Sequence, residues 1–564
     1  MSNDENQRGD EVSPDVNGAY KSVYFENTKQ MLDGLNKVSP TFCLAKWFNV
    51  SIHIPTGRTH SCYHPPTHKV PLEELSKDPG ALHNTKYKKE QRKKMLAGER
   101  PAECSFCWDI EDTGNISDRA YRSFDVNSPE IIEEALAVGF EGNPAPKYLE
   151  VNFNQACNLK CSYCSPHLST EWHKEVKEHG PYRLHDRTHN DDSWMKEQGW
   201  LPDNSPTNPY LTAFWEWFPT VYDKLKTFRM TGGEPLMDKN TFKIFDHVKK
   251  NPHKDLQLSI TSNCCPPKGQ WQKFIDDLKE ITDQDAIDHF MLFCSLDSWG
   301  KQAEYIRSGM DFDVLYKNIT QYLCESNKHS LTFIITCNIL CLPGWMEYFQ
   351  NILQLRKTYN TDRQLIWFDT PMLTDPKWMS MKLASKEMLQ PLLDSIAFME
   401  VNKETVENRY KGFKDYEIDK VQRLYDWAIQ PVYDDELQSA RADFYAFFKE
   451  HDRRRGTDFE TTFPELSTLV PLSQTAFNKF IEEVEKRECN INEILEVCVE
   501  KSWSGFKWSW IDNLKQTNNK NAEIEFYVKD TGIGMPENFG DKIFERFIFL
   551  YFSLSFHSLH KMNV

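Results

Sequence analysis

Cys157, Cys161 and Cys164 stand as C-x3-C-x2-C within the run Cys157-Asn158-Leu159-Lys160-Cys161-Ser162-Tyr163-Cys164. Thiolates are soft ligands that suit iron–sulfur clusters and zinc. Spacings this short let one loop wrap a corner of a cuboidal four-iron cluster, which has one iron more than the loop has thiolates. An iron left open can bind a substrate or cofactor, whereas a fully ligated cluster mostly carries electrons. Two other readings stay open on spacing alone. A bacterial ferredoxin run reads C-x2-C-x2-C-x3-C-P; here the order of spacings differs and no fourth cysteine lies close by. A structural zinc site prefers paired C-x2-C knuckles.

Downstream, Met230-Thr231-Gly232-Gly233-Glu234-Pro235 follows the strand-like Lys226-Thr227-Phe228-Arg229. Glycines let a backbone approach a ligand closely and take positive φ. A carboxylate there can accept charge-assisted hydrogen bonds from an ammonium, and proline fixes the following turn. By itself this run is an ordinary strand-to-loop turn. Together, the two motifs resemble the signature of the radical S-adenosylmethionine (SAM) enzymes. The resemblance implies that Cys157, Cys161 and Cys164 hold a catalytic [4Fe-4S] cluster whose open iron is chelated by SAM. One electron then splits the sulfonium, and the 5′-deoxyadenosyl radical so formed abstracts hydrogen from an unactivated carbon. It also implies that Tyr163 packs near the adenine and that Gly232, Gly233, Glu234 and Pro235 lie at the SAM amino group, with Asn263, Ser295 and Asn338 lining the SAM site. Ser295-Leu296-Asp297 followed by Glu304-Tyr305-Ile306-Arg307 is similar to the family as well. Two readings stay open for Arg307, a partner of the SAM carboxylate or a solvated helix charge, and Asp297 is equally well a structural cap. The implied electron donor is a flavodoxin or ferredoxin. Relatives with accessory cluster domains often modify peptides, so a peptide or protein substrate is expected. The non-enzymatic alternative is an iron–sulfur electron-transfer protein without SAM chemistry.

A second cysteine set precedes the first: Cys43, Cys62, Cys104 and Cys107. Between its members lie an alternating strand-like stretch from Trp47 to Ile54, a Pro55-Thr56-Gly57 turn, and a charged helical stretch from Lys86 to Leu96. Over about residues 40 to 125 this layout resembles the "twitch" auxiliary-cluster domain, a shortened relative of the SPASM domain. Such hairpins often end in two adjacent cysteines, whereas here Cys62 is followed by Tyr63. The resemblance implies an auxiliary [4Fe-4S] cluster on Cys43, Cys62, Cys104 and Cys107, with no open iron. Zinc and unligated thiols remain alternatives, since all-thiolate sets suit both metals. His53, His60 and His64 are alternative ligands.

The elements that must position these residues follow from periodicity. The strand-like run 148–153 precedes the cysteine loop, and apolar, β-rich runs at 256–261, 290–295, 331–336 and 365–368 each lead to a polar residue and then a helix-like stretch. That repetition predicts βα units on a parallel sheet, with ligands gathered at the strand C-termini. The family resemblance makes this an α/β fold: a partial (β/α)6 TIM-like barrel over 146–375, preceded by the cluster-binding segment 39–125 and a loose 1–38. The stretch from 166 to 225, rich in tryptophan (Trp172, Trp194, Trp200, Trp215, Trp217), is expected to cap the barrel mouth or to pack in the core. Residues 376–515 read as mainly helical. In 516–564, Asp530-Thr531-Gly532-Ile533-Gly534 resembles part of a histidine-kinase ATP-binding domain. The magnesium-binding asparagine helix and second glycine box are lacking there, so no working nucleotide site is expected.

Composition narrows the setting. The chain has 564 residues and a formal net charge of −17, which argues against a nonspecific nucleic-acid surface. Its 15 cysteines are odd in number and clustered, and the polar, acidic start lacks a secretory pattern. Reduced thiols and a cytoplasmic setting are therefore expected. No run of 18 apolar residues occurs, so no membrane span is expected.

Overall fold

The computed structural model describes residues 19–125, 129–186, 192–325 and 329–466, with short pieces up to Lys479. The chain divides into two compact units, Met1–Ser473 and Gln474–Val564. The histidine-kinase-like stretch, and the aromatic residues from Trp503 to Trp510, lie outside the described residues.

The first unit carries strands β1 (Asn49–His53), β2 (Arg58–His60), β3 (His68–Lys69), β4 (Tyr148–Asn152), β5 (Lys160–Cys161), β6 (Thr227–Thr231), β7 (His253–Ser262), β8 (Ile287–Ser295), β9 (Arg307–Ser308), β10 (His329–Ile334) and β11 (Ile366–Asp369). Nine of them form one sheet in the order β11-β10-β8-β7-β6-β4-β1-β2-β3, and β5 pairs with β9 in a separate ribbon. From β4 to β11 the sheet strands are parallel and lie in chain order. Parallel neighbours need a crossover between them, and the helices Pro209–Val221, Lys239–Lys250, Gln270–Asp283, Phe312–Glu325 and Trp345–Tyr359 supply it. The molecule is thus a mixed α/β protein built on a mostly parallel sheet. That sheet is open, with β11 and β3 as its edges.

Register explains how the sheet sorts its side chains. Ile52, Val151, Met230, Ile260, Leu292, Leu331 and Ile366 run across the parallel strands in register. None is more than 1% exposed. Helix residues pack on this side of the sheet, such as Phe218 on Phe228 at 5.2 Å and Phe274 on Phe290 at 5.7 Å between ring centres. Successive strand residues point to opposite faces, so the next row belongs to the other side: Ser51, Glu150, Arg229, Ser259, Met291 and Ser330. Parallel sheets usually read as apolar on both faces. This one alternates, and it keeps a polar face beside the strand ends that carry both motifs.

The N-terminal cysteine segment shares this sheet. Strand β1 pairs in parallel with β4 and antiparallel with β2, which pairs with β3. The expected strand from Trp47 onward begins only at Asn49, because Ala45–Phe48 forms a short helix. Its free carbonyls have dedicated donors: Arg92 Nε reaches Lys46 O at 2.9 Å, and His83 Nε2 lies 2.9 Å from Trp47 O. The stretch Lys86–Leu96 is helical as expected, started by the Thr85 side chain accepting from Lys88 N. The region after β11 is helical too, with Gln390–Val401, Asp415–Ala428 and Asp434–Arg455. A buried bidentate pair, Arg356 to Glu417 at 2.9 and 2.5 Å, ties it to the sheet layer. Among the described residues no helix is long and apolar enough to cross a membrane.

Candidate functional site

The loop bearing Cys157, Cys161 and Cys164 leaves the C-terminal end of β4. Cys157 and Cys161 are buried, Cys164 is half-buried, and all three are free thiols. Five hydrogen bonds hold the loop backbone, four accepted by its carbonyls and one given by its own Ser162 N. Trp172 Nε1 donates to Cys161 O at 2.7 Å, Ser169 Oγ to Leu159 O at 2.7 Å, and Thr170 Oγ1 to Cys157 O at 3.0 Å. From further away, Ser162 N donates to Ile306 O at 2.8 Å and Arg455 Nη1 to Lys160 O at 2.7 Å. Trp172 therefore acts as a core residue that pins the loop, one of the two roles expected for the tryptophan-rich stretch. Burial pushes the Cys157 thiol up to about 12, and the neighbouring Cys161 adds to the shift. Burial also raises Cys164, with Cys161 and Cys157 contributing. The thiols thus lie within electrostatic reach of one another, where a metal's positive charge would favour the thiolate forms.

The glycine run packs against this loop. Gly232 has φ +133°, and a Cβ there would lie 2.6 Å from Asn152 Oδ1 and 2.9 Å from Asn154 O. A Cβ on Gly233 would collide with Ala156 O and stand 2.7 Å from the Gln155 carbonyl. Asn152 Oδ1 is buried and has no hydrogen-bond partner. Glu234, 1% exposed, accepts from Leu236 N at 3.0 Å, Ser262 Oγ at 2.9 Å and Asn263 N at 2.7 Å. Burial raises its carboxyl to about 7 against the pull of these donors. Pro235 opens the short turn Pro235–Met237.

The remaining expected site residues are distributed around the loop. Asn263 Nδ2 donates to Asn158 Oδ1 at 3.0 Å, linking the end of β7 to the cysteine loop. Ser295 ends β8 and is half-buried. Asn338 caps the turn Ile339–Gly344 by accepting from Leu340 N at 3.0 Å, and its Nδ2 donates to Thr336 O at 2.8 Å. Arg307 is not a solvated charge, for it is 5% exposed. Its carboxylate partner is Asp297, at 2.8 Å from Nε and 3.0 Å from Nη2. Tyr163 Oη donates to the same carboxylate at 2.8 Å, as does Thr336 N at 2.9 Å. Asp297 thus accepts hydrogen bonds from three residues, Arg307, Tyr163 and Thr336.

The second set converges as well. Cys43, Cys62, Cys104 and Cys107 line one recess. Three separate elements bring them there: the turn before the helix Ala45–Phe48, the exit of β2, and the helix Ser105–Asp112 with the residue before it. Lys46, Arg119 and Arg122 line the same recess. Lys46 pairs with Glu103. Burial alone would lower its pKa, but Cys104, Glu103 and Cys62 raise it instead. Burial lifts Cys104 and Cys107 to about 12. Of the alternative ligands, His64 lines the recess but lies 2.7 Å from Asp118 Oδ2. His53 and His60 face each other, Nε2 to Nε2, at 3.2 Å.

Among the described residues no three Cys, His, Asp or Glu side chains are grouped tightly enough for a single metal ion. A tetrahedral zinc site would hold its sulfurs roughly 3.8 Å apart, as a Zn–S length near 2.3 Å requires. All-thiolate donor sets suit both zinc and iron–sulfur clusters. The three-thiol loop also has a buried acceptor, Asn152 Oδ1, beside a position where only glycine fits.

The helix Asp434–Arg455 lies in the stretch expected to be helical, but sequence reasoning did not anticipate its contact with the cysteine loop. Besides the contact to Lys160 O, Arg455 pairs with Glu175 at 3.1 Å, and His451 Nε2 lies 3.4 Å from Ser162 Oγ. The run Arg453-Arg454-Arg455-Gly456 is the one local signal of this clamp. No family model matches the chain, and no curated protein matches it.

Proposed function

We propose that the protein is a radical SAM enzyme with a second, all-thiolate cluster site. The observation that carries this reading is the packing of Gly232 and Gly233 on the loop of buried Cys157, Cys161 and half-buried Cys164, next to the unpartnered Asn152 Oδ1. Two motifs far apart in sequence thereby meet at adjoining parallel strand ends, where α/β sheets bind ligands. When bound, the cluster and SAM supply one-electron cleavage of a sulfonium and a carbon radical for hydrogen abstraction. The chain's own residues do the rest. Cys157, Cys161 and Cys164 would hold the cluster, and Cys43, Cys62, Cys104 and Cys107 the auxiliary one. Asn152 Oδ1 is a free acceptor for an ammonium. Glu234 fixes the ends of β6 and β7 against each other. The partial-barrel architecture belongs to this reading, with the polar face of the sheet as the side on which a substrate, a peptide or protein among the candidates, is held.

The test is anaerobic reconstitution with iron and sulfide, followed by SAM and a reductant. Formation of 5′-deoxyadenosine, about eight irons per chain as two four-iron clusters require, and loss of 5′-deoxyadenosine in Cys161→Ala are expected. Iron binding without 5′-deoxyadenosine would leave an electron carrier in its place.

A further inference from the structure

We propose that Arg307 is a positioning residue that donates to the Cys161 thiolate and so raises the reduction potential of the cluster on that loop. This rests on the iron–sulfur reading of Cys157, Cys161 and Cys164. Backbone pairing brings the two residues together: β5 and β9 are antiparallel, with Cys161 directly opposite Arg307. Ser162 N, donating to Ile306 O at 2.8 Å, extends the same ribbon.

The guanidinium then divides its donors. Nε and Nη2 face the Asp297 carboxylate at 2.8 and 3.0 Å. Nη1 is left for the Cys161 sulfur, 3.7 Å away. Nη2 donating to a buried carboxylate that also lies 2.8 Å from Nε limits how the guanidinium can turn, and with it the direction of Nη1. Asp297 cannot swing to relax this, because Tyr163 Oη and Thr336 N hold it at 2.8 and 2.9 Å. Arg307 is 5% and Asp297 1% exposed, so water does not screen the contact. An external carboxylate would have to displace Asp297 from Nη2. The geometry therefore favours a role toward the sulfur over the SAM-carboxylate role implied by resemblance.

The electrostatic consequence has a definite sign. Reduction places an added electron on the iron–sulfur unit, and hydrogen bonds to the ligand sulfurs stabilise that added charge. A buried N–H donor carrying positive charge does so more strongly than a neutral one.

The measurement is a spectroelectrochemical titration of the reconstituted full-length chain, with iron counted in parallel. The wave that disappears in Cys157→Ala identifies the loop cluster. In Arg307→Gln that wave is expected to move to more negative potential, about 59 mV for a tenfold change in a one-electron equilibrium. Arg307→Lys, which keeps the charge but loses the fork, is expected between the two and serves where the glutamine variant fails to retain iron. An unchanged wave in either variant at normal iron content overturns the proposal. So does a variant that loses melting temperature with its potential intact, which would mark Arg307 as a merely structural group. Absence of iron from the loop in the unmodified chain would instead sink the iron–sulfur reading itself.

Discussion

Gly233 shows how the candidate site depends on single atoms. Any side chain there meets the carbonyls of Gln155 and Ala156 at the approach to the cysteine loop. Forcing in one methyl where packing is tight costs about 1–3 kcal/mol. Gly233→Ala is therefore expected to lower the melting temperature and the iron retained per chain, while far-ultraviolet circular dichroism shows the helices intact. Normal iron retention in that variant would show that the loop does not depend on this close approach. Much at this scale was legible beforehand. The spacing of Cys157, Cys161 and Cys164, and of Gly232 and Gly233, pointed to groups the fold does bring together. The partner of Arg307 was not, because Asp297 lies across a turn and a helix, and no local pattern distinguishes a buried arginine from a solvated one. Glu234 was read as a ligand contact; three of its hydrogen-bond positions are filled by the protein.

At the level of elements, the helix Asp434–Arg455 acts as a clamp. Arg455 bridges Lys160 O and Glu175, whose carboxylate also accepts from Lys160 Nζ at 2.5 Å and Tyr182 Oη at 2.6 Å. Breaking a buried pair by removing one partner costs about 3–5 kcal/mol. Arg455→Ala is thus expected to loosen the cysteine loop, read as faster amide exchange over 157–164 and a lower urea midpoint. Burial alone would push Glu175 up, but Arg455, Lys160 and Tyr182 hold it near 2, below its ordinary 4.5. A carboxyl depressed on folding contributes stability fully present above its unfolded pKa and lost as pH falls through the folded one. Urea midpoints should consequently drop between about pH 4.5 and pH 2, with a shallower slope in Glu175→Gln; identical slopes would remove Glu175 from the clamp. Strand-like apolar runs foretold β4, β6, β7, β8, β10 and β11, whereas the short ribbon of β5 and β9 had no such signal. Periodicity placed a strand where Ala45–Phe48 is helical, since Trp47 and Phe48 are buried in either conformation. The deciding donors, His83 and Arg92, come from a distant stretch that reads as surface charge.

On the scale of the whole molecule, the first compact unit, ending at Ser473, contains both cysteine sets. A chain shortened after Lys479 is expected to bind as much iron as the full chain and to form 5′-deoxyadenosine at a similar rate. A loss of either would assign the C-terminal stretch a part in the chemistry. The pairing of β1 with β4 has a consequence of a different kind. It builds the segment around Cys62, which follows β2, and the segment around Cys157, which follows β4, onto one sheet with β1 between them. Electron tunnelling slows steeply with each added ångström. Two redox centres mounted on a common, stiff backbone would exchange charge over a gap that neither substrate entry nor thermal breathing alters, and at a rate set once, when the chain folds.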